Sequence, residues 1–330
     1  MNRFKHSMKM VFAIGILSIF AGCKGLVKKP HDDHETRMRN AIRINPVHEL
    51  GYIRLAQYLE VKQRYSETFQ VLRDAQQHVP DSITLIRLEG SLFQSLEMFS
   101  EVEKFYTKQL EKYPKNPLLF LDRAKMYWRI NSYENALEDA KKSLSLNSDL
   151  FEAHYLIGII LGRKTDPENP EFLDQSLEAL IAASQINSTN SDLWIRISDL
   201  WQRKGESNKA RLAMFRAVEL SPESNFYLRR YAVLQEKELD ETVQQNSEEI
   251  SESLHKTLKH MLKLFPNDSW VHAHYGNWAW TKQNYALAEI HLQRSLEIQT
   301  VYPWASFRLG VVYFSQEKWE KALEVFEDGL

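Results

Sequence analysis

The chain repeats itself every 34 residues. Small residues stand at Ala56, Gly90, Ala124 and Gly158, then at Ser198 and Ala232, then at Gly276 and Gly310. Only two steps exceed the period, by 6 and by 10 residues. A second series keeps the same phase: Pro46, Pro80, Pro114, Ser148, Ser188, Pro222, Pro266 and Thr300. Proline cannot continue a helix, so this series marks helix ends. A third runs Thr68, Val102, Ala136, Ser176, Ala210, Leu254, Ala288 and Ala322. A period in this range means a stack of like supersecondary units. One unit cannot bury its apolar face alone, so neighbours must share a continuous core. At 330 residues the chain has length for two ordinary domains, but the sustained phase points to one stack.

Within a unit the apolar spacing is helical. Ala124, Tyr127, Trp128 and Ile130 predict one face of a first helix, and Ala136, Leu137, Ala140 and Leu144 the face of a second. The small residue of each helix lets the two backbones approach. Composition agrees: 43% hydrophobic, 26% charged, 11 glycines and no clear alternating strand segments. The expected fold class is all-α.

Particular residues then point to a family. Tyr275-Gly276 is followed by Tyr285, Ala288 and Leu296, and Leu309-Gly310 by Tyr313, Trp319, Ala322 and Phe326. Trp194, Trp201, Gly205, Ala210, Ala217 and Pro222 mark another copy. This pattern resembles the tetratricopeptide repeat (TPR), whose signature is Trp, Leu-Gly, Tyr, Ala, Phe, Ala and Pro at set spacings. The resemblance covers roughly residues 31–330, with departures at Val102 and Leu254 where a small residue is usual. It implies a right-handed superhelical solenoid whose first helices line a concave surface. The expected copies are 49–82, 83–116, 117–150, 151–190, 191–224, 225–268, 269–302 and 303–330, after a leading helix over 34–46. Two copies carry insertions between their helices, at 164–173 and at 236–252.

The N-terminus carries a different signal. Arg3, Lys5 and Lys9 precede an apolar run from Met10 to Phe20, too short to span a bilayer as a mature helix. The run closes on Phe20-Ala21-Gly22-Cys23, and Cys23 is the only cysteine. This resembles a bacterial lipobox, with Phe20 where Leu is usual. The resemblance implies a signal peptide over 1–22, lipidation of Cys23, and a linker over 23–33. Three acyl chains exceed the single chain that binds membranes only marginally. With one cysteine the chain forms no internal disulfide. Lys24 follows Cys23 where Asp favours inner-membrane retention in enterobacterial lipoproteins. By that resemblance the protein is a cell-envelope lipoprotein of the outer membrane, facing the periplasm.

Catalytic motifs are missing. The sequence holds no Gly-rich phosphate loop, H-E-x-x-H, C-x-x-C or G-x-S-x-G. His31-Asp32-Asp33-His34 has a chelating look but reads as the polar start of the first helix, where the dipole favours acids. His272 and His274 point to different faces of one helix, so one interior and one exposed histidine are expected. No metal, no cofactor and no catalytic residue are expected. A sequence pI near 6.6 without a basic stripe argues against nucleic acid.

Binding remains. The repeat phase places Trp270, Ala273, Asn277 and Trp280, then Trp304, Phe307, Val311 and Phe314, on the concave surface. The matching positions of earlier copies are more polar, as at Gln57, Glu60, Arg87, Asp192 and Asp199. An aromatic patch in a groove suits an apolar peptide or an amphipathic partner helix. Trp270, Asn277, Trp280, Trp304, Phe307 and Phe314 are the candidate site, with Cys23 the membrane attachment. The expected function is a membrane-anchored scaffold or adaptor for a protein or peptide partner, in envelope, secretion or pilus assembly. The alternative is a lipoprotein that self-assembles into homo-oligomers through its last repeat, where Ala322, Leu323, Phe326 and Leu330 are expected to form an exposed apolar end. A chain continuing beyond Leu330 would equally cover that end.

Overall fold

The computed structural model describes residues 33–165, 169–241 and 247–328. Cys23, the segments 1–22 and 23–32, and Leu330 lie outside the described residues. Among the described residues the structure is helical, with no strand. A lone helix α1 (Asp33–Ile44) precedes eight helix pairs. These are α2 (Glu49–Val61) with α3 (Tyr65–His78), α4 (Ile83–Ser95) with α5 (Phe99–Lys112), and α6 (Pro117–Arg129) with α7 (Tyr133–Leu146). Next come α8 (Phe151–Lys164) with α9 (Glu171–Ile186), and α10 (Ser191–Arg203) with α11 (Ser207–Leu220). The last three pairs are α12 (Asn225–Glu241) with α13 (Ser247–Leu264), α14 (Ser269–Thr281) with α15 (Tyr285–Ile298), and α16 (Pro303–Ser315) with α17 (Trp319–Asp328). They fall into two compact units, one through Ser148 and one from Asp149. Within each unit, successive helices pack as hairpins in chain order.

The turn inside each regular pair has one geometry. Counting from the start of the first helix, residue 15 has positive φ in six copies: Gln63, Glu97, Asn131, Gly205, Gln283 and Glu317. Its N–H and the next one fold back onto the end of the first helix. Gln63 donates to the Glu60 carbonyl at 2.8 Å and Arg64 to the Leu59 carbonyl at 2.9 Å. The same two bonds recur at Glu97 and Met98, and at Gln283 and Asn284. This is the Schellman arrangement, which satisfies carbonyls that a helix end would otherwise leave open. The first helices also begin in a regular way. Ser82, Asn116, Asn190 and Asp268 each cap one by accepting a backbone N–H.

The helix–helix seam explains the small-residue series. A Cβ on Gly276 would lie 2.7 Å from Leu292 Cγ, one on Gly90 would overlap the Tyr106 ring, and one on Gly310 the Phe326 ring. In these copies position 8 therefore faces position 24, across the hairpin, and in the copy with the shorter insertion Gly158 faces Leu180. Serines on this seam bond to the partner backbone: Ser176 Oγ to the Gly158 carbonyl at 2.6 Å, and Ser198 Oγ to the Ala210 carbonyl at 2.8 Å. Val102 and Leu254 are as buried as the small residues of their series. Two expectations need correction. Ile130 lies one residue past the end of α6 and is exposed, while Leu119, Leu121 and Met126 form the buried face with Ala124. Ala322 and Phe326 do not form an exposed end, because Ala322 is buried and Phe326 packs over Gly310; Leu323 is exposed. The longer insertion extends its helices, to 17 residues in α12 and 18 in α13, against 13 and 14 in regular copies.

Candidate functional site

The first helices of the last copies carry a basic residue at position 6: Arg196 on α10, Arg230 on α12, His274 on α14 and Arg308 on α16. The first three reach back to an oxygen on the preceding first helix. Arg196 Nε donates to the Tyr155 hydroxyl at 2.6 Å. Arg230 pairs with the Asp199 carboxylate. His274 Nδ1 lies 2.8 and 2.9 Å from the two oxygens of Glu236.

Around the last two rungs the side chains form one stack. The Arg229 guanidinium lies 5.1 Å from the Trp270 ring centre. Trp270 stacks on His274 at 3.8 Å, and His274 on Trp304 at 4.6 Å with planes 18° apart. Arg308 then lies 5.3 Å from Trp304 and 6.0 Å from Trp280. Cations over indole faces are attracted by the ring quadrupole, worth about 0.5–2 kcal/mol each as water is excluded. The stack is braced at its base. Asp268 accepts from Arg229 Nη2 at 2.5 Å and caps α14 through the Val271 N–H. Burial raises the Asp268 pKa, but the bonds from Arg229, Asn225 and Val271 outweigh it and hold the carboxyl below its ordinary value.

The six residues expected at the site have distinct surroundings. Trp270 and Trp304 enclose His274, and both are partly buried. Trp280 donates its indole N–H to Ser315 Oγ at 3.1 Å. Asn277 is partly buried, and its Oδ1 has no hydrogen-bond partner among the described residues. Phe307 and Phe314 are 54% and 58% exposed, and Phe314 meets Trp319 edge-on at 4.9 Å. Trp278 turns the other way: it stacks on His255 at 4.1 Å and donates to the Ser251 carbonyl at 3.2 Å.

The histidine expectation is corrected. His272 and His274 do point to different faces, yet both are buried, at 9% and 8% exposure. A helix inside a stack is covered on both sides. His274 lies under two indoles, and His272 meets His291 of α15 with 3.0 Å between their Nδ1 atoms. His272 Nε2 is 3.1 Å from the Pro266 carbonyl, which can only accept, so Nε2 donates to it. Burial, and then the neighbouring His272, push the His291 pKa down to about 4. Reading single helices missed Glu236, His274 and Arg308. The signal for His274 and Arg308 was the recurrence of a basic residue at position 6.

No group of three or more metal-ligating side chains occurs among the described residues. None of the described helices is long and apolar enough to cross a membrane.

No protein-family model matches the chain. Among curated proteins it is similar to Protein O-mannosyl-transferase TMTC3 of Homo sapiens, 23% identical over 314 residues, 89% of this chain and 32% of that protein. It is also similar to U-box domain-containing protein 70 of Oryza sativa subsp. japonica, 25% identical over 190 residues, 52% of this chain and 23% of that one. The chain thus spans about a third or less of these relatives. Among solved structures it is similar to the C-terminal part of a TPR repeat-containing protein from Cytophaga hutchinsonii. The TM-score is 0.56 at 12% identity, covering 78% of this chain and 98% of that one. The fold is TPR-like.

Proposed function

We propose that this protein is a binding scaffold that holds a protein or peptide partner on the face made by α12, α14 and α16. The observation that carries this reading is the stack from Arg229 to Trp280, together with the exposed rings of Phe307 and Phe314 on α16. Rings already locked in place lose little entropy when a partner covers them. Aromatic and arginine side chains are the usual energetic centres of interfaces. The Cys23 motif supports a lipid anchor in a bacterial envelope, with the outer membrane and its periplasmic face as the expected location. Anchoring would confine the complex to a surface and raise its effective concentration. Work in envelope, secretion or pilus assembly fits such a scaffold. In this reading the protein carries no catalytic step.

The test is partner capture from native membranes with wild type and a Trp280→Ala, Trp304→Ala variant. The variant is expected to lose the partner while keeping its helical content and the packing of α14 on α15. Retention of the same partner would remove the face as the site. A second reading, self-association, is favoured by exposed Trp319 and Leu323 on α17. It predicts a mass that rises with concentration in light scattering, and a Leu323→Glu variant that stays monomeric.

A further inference from the structure

The position-6 ladder is one rung short of an acceptor. Arg230 finds the carboxylate of Asp199, at position 9 of the preceding first helix. His274 finds that of Glu236, at position 12. For Arg308 the same two positions hold Asn277 and Trp280, so neither offers a carboxylate. Among the described residues Arg308 has no ion pair, and neither its Nε nor Asn277 Oδ1 has a hydrogen-bond partner. The guanidinium presents a planar fork of donors that matches a carboxylate. A partly buried charge without a counterion is costly, and a carboxylate brought by a partner relieves that cost.

We propose that Arg308 is the anion-recognising residue of the groove, and that it takes the side-chain carboxylate of an Asp or Glu flanked by apolar residues in the partner segment. This rests on the groove reading above and gives the partner its chemistry. The Trp304 and Trp280 rings lie 5.3 and 6.0 Å from the Arg308 guanidinium, and Trp304 precedes Arg308 by about one turn of α16. Phe307 and Phe314, seven residues apart, share one face of α16 about a quarter-turn from Arg308. With Trp304 and Phe307 before Arg308 along α16 and Phe314 after it, apolar side chains lie at both ends, and a partner chain can continue in both directions. The carboxylate is therefore that of an internal residue and not a chain end.

The test uses the full-length protein and immobilised pools of acetylated, amidated nonapeptides. The central residue is Asp or Asn, and the flanks are randomised among Leu, Phe, Ala and Ser. A third pool has a central Ser and a free C-terminal carboxylate. The Asp pool is expected to bind at least tenfold tighter than the Asn pool and tighter than the third. Arg308→Gln should erase that preference, and Arg308→Lys should keep part of it. Asn277→Asp restores a carboxylate at position 9, so it should raise the melting temperature and abolish the preference. Equal binding of Asp and Asn pools overturns this inference alone, as does an intact preference in Asn277→Asp. Strongest binding by the third pool overturns the internal-residue assignment. Binding of no pool at millimolar concentration overturns both this inference and the groove reading.

Discussion

Residue 15 of each regular copy must adopt a left-handed conformation, and only one of six copies supplies glycine there. Gly205 has φ of 80°, and a Cβ on it would meet nothing within 4 Å. The other five hold Gln, Glu or Asn at φ of 57–60°, which costs an L-residue about 1–2 kcal/mol. Replacing Glu97 or Gln283 by Gly is thus expected to stabilise the fold by about 1 kcal/mol, less the entropy that glycine adds to the unfolded chain. Gly205→Ala should destabilise it by a similar amount, and chemical denaturation reads both. His291 gives a pH dependence at the same scale. Its folded pKa of about 4 lies below the ordinary 6.5, so the fold favours the neutral ring. Between those values the unfolded chain binds more protons, and stability falls as pH drops from about 6.5 to about 4. His291→Gln should flatten that part of the stability profile; an unchanged slope would show that His291 is not its source.

At the scale of the element, the hairpin was legible because its two requirements are periodic. Helix ends follow from the Pro, Ser and Thr series, and the seam follows from small residues at positions 8 and 20. Gly90 and Tyr106 show that these are packing constraints and not composition. Copy one holds Ala56 and Leu72 at the same two positions, and both are buried. Gly90→Ala is therefore expected to cost about 1–3 kcal/mol through overpacking, and adding Tyr106→Leu should recover most of it. If the double variant is no better than the single one, position 24 is not what demands the glycine. The site was less legible. Helical periodicity put Trp270, Trp280, Trp304 and Phe314 on the first helices, but it treats each helix alone. The stack joins Arg229 and Glu236 to His274 and Trp304, residues of three helices and three copies, and that juxtaposition exists only after stacking. Burial of His274 follows from the same cause.

For the whole molecule, repeat architecture makes stability local. Within each unit a copy contacts its neighbours, so damage is expected to spread by copies and not to the entire chain. In hydrogen exchange, Gly90→Ala should weaken protection in α4 and α5 while leaving α14 to α16 as in wild type. Uniform loss of protection would mean one cooperative unit. The proposed lipid anchor makes its own prediction: the protein isolated from membranes should begin at Cys23 with acyl mass added, and Cys23→Ser should leave the membrane fraction. The central claim concerns the face of α12, α14 and α16. The most direct measurement is photocrosslinking in native membranes, with a benzophenone residue placed singly at Phe307, Phe314, Val233 and, as a control on another helix face, the exposed Ile290. One partner captured from Phe307, Phe314 and Val233 but not from Ile290 is the predicted result. Capture from Ile290 alone, or the same products from all four sites, would contradict the account.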